Sequence, residues 1–167
     1  MKKPTVSTLF AGCGGDTLGF VNAGFELVYA NDNNPDACDT LRKRFEKTKK
    51  GIIHKERIQK INEFKSSNVI TGGFPCQPFS RAGISARKNL KRAHGFDDKD
   101  QGDLFFNILN ILNIKKPKAF ILENVQNLKT HQNGKILDQI LKELRINYYV
   151  PDPKILDAQD FGLAQRR

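Results

Sequence analysis

Short apolar runs alternate along this chain with stretches of helical spacing, and most of the runs stop at a glycine or an acid. Thr5–Phe10 reads as a buried strand, followed by the turn Gly12-Cys13-Gly14-Gly15 and a helix to about Ala23. Glu26–Ala30 is a second strand, and Pro35, tolerated in a first helical turn, opens a helix to about Phe45. A third strand falls near Ile58–Ile61, and a fourth, Asn68–Thr71, runs into Gly72-Gly73. Leu104, Ile108 and Leu112 place a helix over Asp103–Ile114, and Ala119–Glu123 is a fifth strand. Ile136, Leu137, Ile140, Leu141 and Leu144 follow the spacing of a buried helix face. Tyr148–Val150 and Lys154–Leu156 form one last strand, bent at Pro151 and Pro153. Such alternation implies an α/β fold with a doubly wound, mostly parallel sheet, whose ligands sit at the carboxyl ends of the strands. The segment 77–102 has no sustained periodicity and reads as a long polar loop of the lid or binding kind.

At 167 residues the chain is long enough for one domain with its own core, and 38% hydrophobic against 28% charged residues excludes a disordered chain. No apolar run approaches a membrane span, and Met-Lys-Lys-Pro-Thr leads into no signal-peptide apolar region, so a cytoplasmic protein without membrane contact is expected. Cys13, Cys38 and Cys76 are odd in number and lack metal-ligand spacing, which suits a reducing compartment and predicts no metal. The net charge is +10 and unevenly spread. Residues 42–60 carry nine basic side chains against Glu46 and Glu56, and residues 81–92 add Arg81, Arg87, Lys88, Lys91 and Arg92 with no acid. A polyanion such as nucleic acid fits both stretches. A solvated helix face accounts equally well for 42–60, whereas Ser80, Gly83 and Ser85 break any helix at 81–92.

The residues able to carry chemistry fall where strands end. In Phe10-Ala11-Gly12-Cys13-Gly14-Gly15, glycines let a ligand approach the backbone, and Asp32 after the second strand can accept bonds from ribose hydroxyls. Together they suggest a nucleoside-containing cofactor, with a plain tight turn as the bland alternative. In Gly73-Phe74-Pro75-Cys76-Gln77-Pro78, a cysteine held between two prolines just past a strand has the exposed, rigid setting of a nucleophile. Cys13 and Cys38 read as small buried hydrophobes. Glu123 closes the apolar run Phe120-Ile121-Leu122, and a carboxylate at the dry end of a buried strand needs a partner, a proton or a substrate to justify it.

These motifs, in this order, resemble the C5-cytosine DNA methyltransferases, from Leu9-Phe10-Ala11-Gly12 through Pro75-Cys76-Gln77 and Glu123-Asn124-Val125 to Gln165-Arg166-Arg167. The resemblance implies the Rossmann-like fold of S-adenosylmethionine-dependent methyltransferases, that cofactor as methyl donor, and a flipped-out cytosine of double-stranded DNA as acceptor, in the setting of a bacterial restriction–modification system. It implies Cys76, Glu123 and Arg167 as catalytic residues. Phe10, Ala11, Gly12, Cys13, Gly14, Gly15, Asp32, Asn33, Ile58, Pro75 and Leu104 are implied at the cofactor. Gln77, Ser80, Arg81, Arg87, Lys88, Asn124 and Gln165 are implied at the nucleic acid. The family usually has Glu at the position of Asp32, and an acid where Arg57-Ile58 stand here.

A tRNA cytosine-5 methyltransferase would use the same Cys and Glu, and a catalytically silent DNA-binding relative would keep the fold. A dinucleotide oxidoreductase explains the glycine loop but leaves Cys76 and Glu123 without a purpose. Set against the family, residues 1–167 form a catalytic and cofactor-binding portion, incomplete at the C-terminal strand and without a target-recognition region. A missing C-terminal segment or a second polypeptide is expected to carry that region.

Overall fold

The computed structural model describes residues 2–47, 49–61, 63–75 and 103–165. Five strands form one all-parallel sheet: β1 (Thr5–Leu9), β2 (Glu26–Asp32), β3 (Ile53–Lys55), β4 (Val69–Gly73) and β5 (Ala119–Glu123). Their order across the sheet is β3-β2-β1-β4-β5. The chain therefore winds outward from β1 to β3, then returns to lay β4 on the other side of β1. That reversal opens a crevice at the carboxyl ends of β1 and β4, the place where open parallel sheets bind ligands.

Helices α1 (Gly15–Asn22), α2 (Pro35–Phe45) and α3 (Asp103–Lys115) make crossovers between strands, and α4 (Lys135–Arg145) follows β5; all four flank the sheet. Two apolar clusters hold them. One gathers Val6, Leu27 and Ala30 of the sheet with Cys38 and Leu41 of α2, and Phe20 and Val21 of α1 pack against it. The other gathers Leu9, Tyr29 and Ile70 with Phe105, Ile108 and Leu112 of α3 and Ile136, Ile140 and Leu144 of α4. The helices thus cover the sheet in two layers, as a doubly wound fold requires. Asn34 caps α2, its side chain accepting a hydrogen bond from Ala37 N at 3.0 Å, with Pro35 in the first turn.

Three segments depart from the sequence reading. The third strand is Ile53–Lys55, not Ile58–Ile61, which is a single 3-10 turn at Ile58–Lys60. Ile52 and Ile53 are buried against β2, and Ala30 donates its N–H to Ile52 O at 2.7 Å, so the sheet takes the earlier pair. Ile58 and Ile61, three residues apart, both turn inward on the 3-10 turn. The expected last strand over 148–156 is not a strand. Pro151 and Pro153 offer no N–H to a ladder, and Tyr149, Ile155 and Leu156 are exposed. Finally, β5 is not a buried strand. Its residues alternate between exposed and half-buried, with Ile121 55% exposed, because β5 lies at the edge of the sheet among the described residues.

Candidate functional site

The site begins where β1 ends. Phe10 takes a left-handed backbone (φ 53°), rare for a bulky residue, and Gly12 and Gly14 follow at φ 52° and 90°. Two neighbours hold this sharp loop. Asn31, buried in β2, accepts from Phe10 N through Oδ1 at 3.4 Å and from Ala11 N through its carbonyl at 2.9 Å, while its Nδ2 donates to Glu56 O at 3.0 Å. Asp32 accepts from Gly12 N at 2.8 Å through Oδ2 and from Asn34 N at 2.8 Å through Oδ1. Each Asp32 oxygen keeps a second lone pair, so the carboxylate can brace the loop and still receive a ligand hydroxyl.

The glycines have separate tasks. A Cβ on Gly14 would stand 2.7 Å from Leu41 Cδ2 and 2.9 Å from Phe45 Cε2, so Gly14 exists to let the loop pack on α2. A Cβ on Gly12 or Gly15 would meet nothing within 4 Å, so these two leave the loop open after β1. Cys13 lies exposed on the loop, which corrects its reading as a buried hydrophobe: a turn leaving the sheet end carries its side chain away from the core. Cys38 is buried as expected, and burial, aided by the Asp32 carboxylate, pushes its thiol up.

Asp16, in the first turn of α1, was not singled out from the sequence. Loss of hydration raises its carboxyl, against hydrogen bonds from Thr17 and from the Thr71 side chain that lower it. Thr71 belongs to β4, so Asp16 spans from α1 toward the β1/β4 crevice. An acid just after a glycine loop is the signal that would have found it. Glu56 was also missed. It takes the Tyr29 hydroxyl at 2.8 Å and stands one residue before Arg57-Ile58, at the carboxyl end of β3. Burial, and then the hydrogen bond to Glu56, hold the tyrosine phenol well above its ordinary range.

On the far side of the crevice, Gly73 closes β4 opposite Glu123 of β5. A Cβ on Gly73 would lie 3.0 Å from Glu123 Oε2, so the missing side chain makes room for that carboxylate over the β4 end. Glu123 is exposed rather than sealed at a dry strand end, which follows from the edge position of β5. Asn124 donates Nδ2 to Phe74 O at 3.1 Å and accepts from Val125 N at 2.9 Å. It thereby ties the loop after Glu123 to the segment Phe74-Pro75 that leads into residue 76. Leu104 opens α3 as a buried residue beside Phe105, Ile58 is buried, and Gln165 is exposed. Cys76, Gln77, Ser80, Arg81, Arg87, Lys88 and Arg167 lie outside the described residues. The structure thus gathers Phe10–Gly15, Asp32, Pro75 and Glu123 at one end of the sheet.

A doubly wound parallel sheet with a glycine loop after β1 and an acid after β2 is a Rossmann-like fold, and solved methyltransferase structures share it. A putative DNA modification methyltransferase from an E. coli prophage superposes with a TM-score of 0.73 at 23% identity, over 95% of this chain and 42% of that one. The S. pombe Dnmt2 methyltransferase does so with a TM-score of 0.71 at 23% identity, over 99% and 48%. The chain belongs to the C-5 cytosine-specific DNA methylase family, whose model matches residues 5–167. It is 36% identical to the DNA-cytosine methyltransferase of Escherichia coli K12, over 95% of this chain and 39% of that protein. It is 40% identical to the Type II methyltransferase M.HaeII of Haemophilus aegyptius, over 100% of this chain and 49% of that protein. The chain therefore spans less than half the length of these relatives. Among the described residues, no helix is long and apolar enough to cross a membrane.

Proposed function

We propose that residues 1–167 are the catalytic and cofactor-binding portion of a DNA (cytosine-5-)-methyltransferase of a bacterial restriction–modification system, acting on DNA in the cytoplasm. The observation that carries this reading is the convergence, across the β1/β4 crevice, of the braced glycine loop with Glu123 and the Gly73–Pro75 segment that leads into Cys76. Family membership supplies the reaction class.

The residues at the crevice fit S-adenosylmethionine. Gly12 and Gly15 leave the loop open to close approach, and Asp16 and Asp32 flank it with carboxyl groups suited to a ligand bearing a sulfonium and an ammonium. Phe10, Ala11, Cys13 and Gly14 complete the loop that would hold it, Asp32 and Asn33 would take the ribose end, and Ile58, Pro75 and Leu104 would offer apolar contacts. When bound, the cofactor supplies an electrophilic methyl group.

The chain's own residues prepare the acceptor. Cytosine C5 is a poor nucleophile until the ring's aromaticity is interrupted. The Cys76 thiolate adds to C6, forming an S–C6 bond, while Glu123 protonates N3 and holds the exocyclic amine. The π electrons then concentrate at C5, which would take the methyl group as the S–CH3 bond of the donor breaks and leaves a neutral thioether. Water at the crevice would accept the C5 proton, the C5–H electrons would form the C5–C6 double bond, the Cys76 sulfur would leave as thiolate, and the N3 proton would return to Glu123. Arg167 would act as a catalytic residue with Cys76 and Glu123, and Asn124, which holds the two loops together, would also contact the nucleic acid. The reacting ring is unreachable inside a duplex, so the base is flipped out, at about a few kcal/mol. Gln77, Ser80, Arg81, Arg87, Lys88 and Gln165 would contact the flipped strand and its phosphates.

Target selection rests on residues beyond these, in a further segment or a second polypeptide. Among the described residues β5 is an edge strand with Ile121 exposed, and this supports the reading, since an unpaired edge invites a further strand. The reading is tested by transfer of labelled methyl from S-adenosylmethionine to duplex DNA and to tRNA, with the chain joined to the coding sequence that follows it. Label in DNA cytosine that vanishes in Cys76→Ser is expected. Label in tRNA alone would replace the substrate, and label surviving Cys76→Ser would overturn the mechanism.

A further inference from the structure

The sheet has a second end, and it is strongly basic. Where the strands begin, opposite the candidate active site, an open cleft of about 780 Å³ is lined by Lys2, Lys3, Lys49, Lys65 and Lys118 against the one acid Glu26. Basic residues at this end are partly accounted for by helix dipoles, because α2, α3 and α4 all finish there and favour cations in their last turns. That explanation does not reach all of the cleft lysines. None of them lies in a helix, and Lys2, Lys3 and Lys65, on the segments leading into β1 and β4, follow no α-helix end directly.

The cleft has a stiff floor. Asn68 Oδ1 accepts from Thr5 N at 2.9 Å and Thr5 Oγ1 at 3.0 Å, Asn68 N donates back to Thr5 Oγ1 at 3.0 Å, and Asn68 O accepts from Lys118 N at 2.9 Å. The segments that carry Lys3, Lys65 and Lys118 are thereby locked to one another. Among the described residues, Lys49 alone of the cleft lysines pairs with an acid, Glu26 at 2.7 Å. The Glu26 carboxyl is held below its ordinary range chiefly by Lys49, with Lys65 and Lys2 adding to the effect, so the other lysines impose a positive field there. Ser66 and Ser67 add hydroxyls to the lining, and among the described residues no aromatic side chain contributes to it. A concave, cationic, hydroxyl-bearing surface without aromatic anchors suits a ridge of phosphodiesters better than a lipid interface.

We propose that this cleft binds the phosphate backbone of duplex DNA, independently of sequence and apart from the segment held at the active site. A duplex lying across the carboxyl ends of the strands cannot also run through the cleft at their amino ends, so the contact is with a second stretch of DNA. The cleft would keep the protein on crowded DNA between encounters with target sites.

The test uses the full chain and a duplex of dA and dT only, which contains no cytosine and so does not depend on the proposed methyl transfer. Backbone amide resonances are followed as the duplex is added. Shifts at Lys2, Lys3, Thr5, residues 65–68 and Lys118 are expected. Changing Lys2, Lys3, Lys65 and Lys118 to Gln should abolish those shifts and reduce the slope of log affinity against log salt by about 3 to 4, since each phosphate contact contributes about 0.9. A matched control changes Lys43, Arg44, Lys47 and Lys50 to Gln, removing equal charge outside the cleft from exposed positions. It should retain the cleft shifts. Shifts confined to residues 10–16 and 123–125 would overturn the proposal, as would equal loss in both variants, which would reduce it to net charge. Cleft shifts produced by phosphatidylserine vesicles and not by the duplex would assign the cleft to a membrane instead. Melting curves of both variants confirm that each is folded.

Discussion

Gly14 and Gly15 are adjacent, yet a methyl group added to each should act in opposite directions. At Gly14 the backbone is left-handed at φ 90°, which costs a residue with a side chain about 1–2 kcal/mol. The new Cβ would also stand 2.7 Å from Leu41 Cδ2 and 2.9 Å from Phe45 Cε2. Leu41 is fully buried and has nowhere to move, so overpacking adds about 1–3 kcal/mol. Gly14→Ala should therefore lose about 2–5 kcal/mol, a large share of the roughly 5–15 kcal/mol that holds a domain together. At Gly15 the added methyl meets nothing within 4 Å, and the residue is the first of α1, where alanine is favoured over glycine by about 0.5 kcal/mol. Gly15→Ala should stay as stable as the parent or gain slightly. Because its methyl enters the space assigned to the cofactor, its affinity for S-adenosylmethionine should fall about tenfold, equivalent to about 1.4 kcal/mol. Urea unfolding and calorimetric titration separate the two effects. Gly14→Ala should move the unfolding midpoint down by about 1–3 M at ordinary slopes. The division of roles is refuted if Gly14→Ala unfolds with the parent, or if Gly15→Ala destabilises the fold while binding the cofactor normally.

Other perturbations probe the rest of the crevice. Asn124→Ala removes bonds to Phe74 O and Val125 N and should cost about 1–2 kcal/mol in melting experiments. In the active assembly it should lower kcat more than it weakens cofactor affinity, because it joins the Glu123 loop to the Cys76 segment. Asp32→Ala frees the N–H groups of Gly12 and Asn34, and calorimetry should show weaker cofactor binding together with a loss of about 1–3 kcal/mol on unfolding. Asp16 has a raised carboxyl in the folded state, so its contribution to stability is fully present below its ordinary value of 3.8 and is lost as pH rises through the folded value. Asp16→Asn lacks that loss. Its stability relative to the parent should climb across this window and then level off, whereas a flat difference would remove Asp16 from the account.

Much of this architecture was legible in the residues. The apolar runs and their glycine or acid stops located four of the five strands, and a parallel sheet places everything that follows a strand at one end. That is why Gly12, Asp32 and Glu123 could be brought together before any coordinates. Two kinds of information were not legible. Apolarity marks a strand but not its place across the sheet, so Phe120-Ile121-Leu122 read as interior although β5 lies at the edge. Local pattern also misplaced β3, because Ile58 and Ile61 turn inward on a 3-10 turn while Ile52 and Ile53 carry the sheet contact. Hydrogen bonds across long separations were likewise hidden. Nothing in the spacing of Asp32 from Gly12, or of Asn124 from Phe74, shows that one carboxylate and one amide tie the site together.

The central claim is that this crevice brings Cys76 to C6 of a flipped cytosine. The most direct measurement is covalent capture with a duplex carrying 5-fluorocytosine, whose fluorine cannot leave as the C5 proton does. In the presence of S-adenosylmethionine, the proposed mechanism predicts a DNA adduct that survives denaturation and maps by mass spectrometry to Cys76. It also predicts that Cys76→Ser forms none. An adduct at Cys13, or methylated DNA from the Cys76→Ser protein, would contradict it.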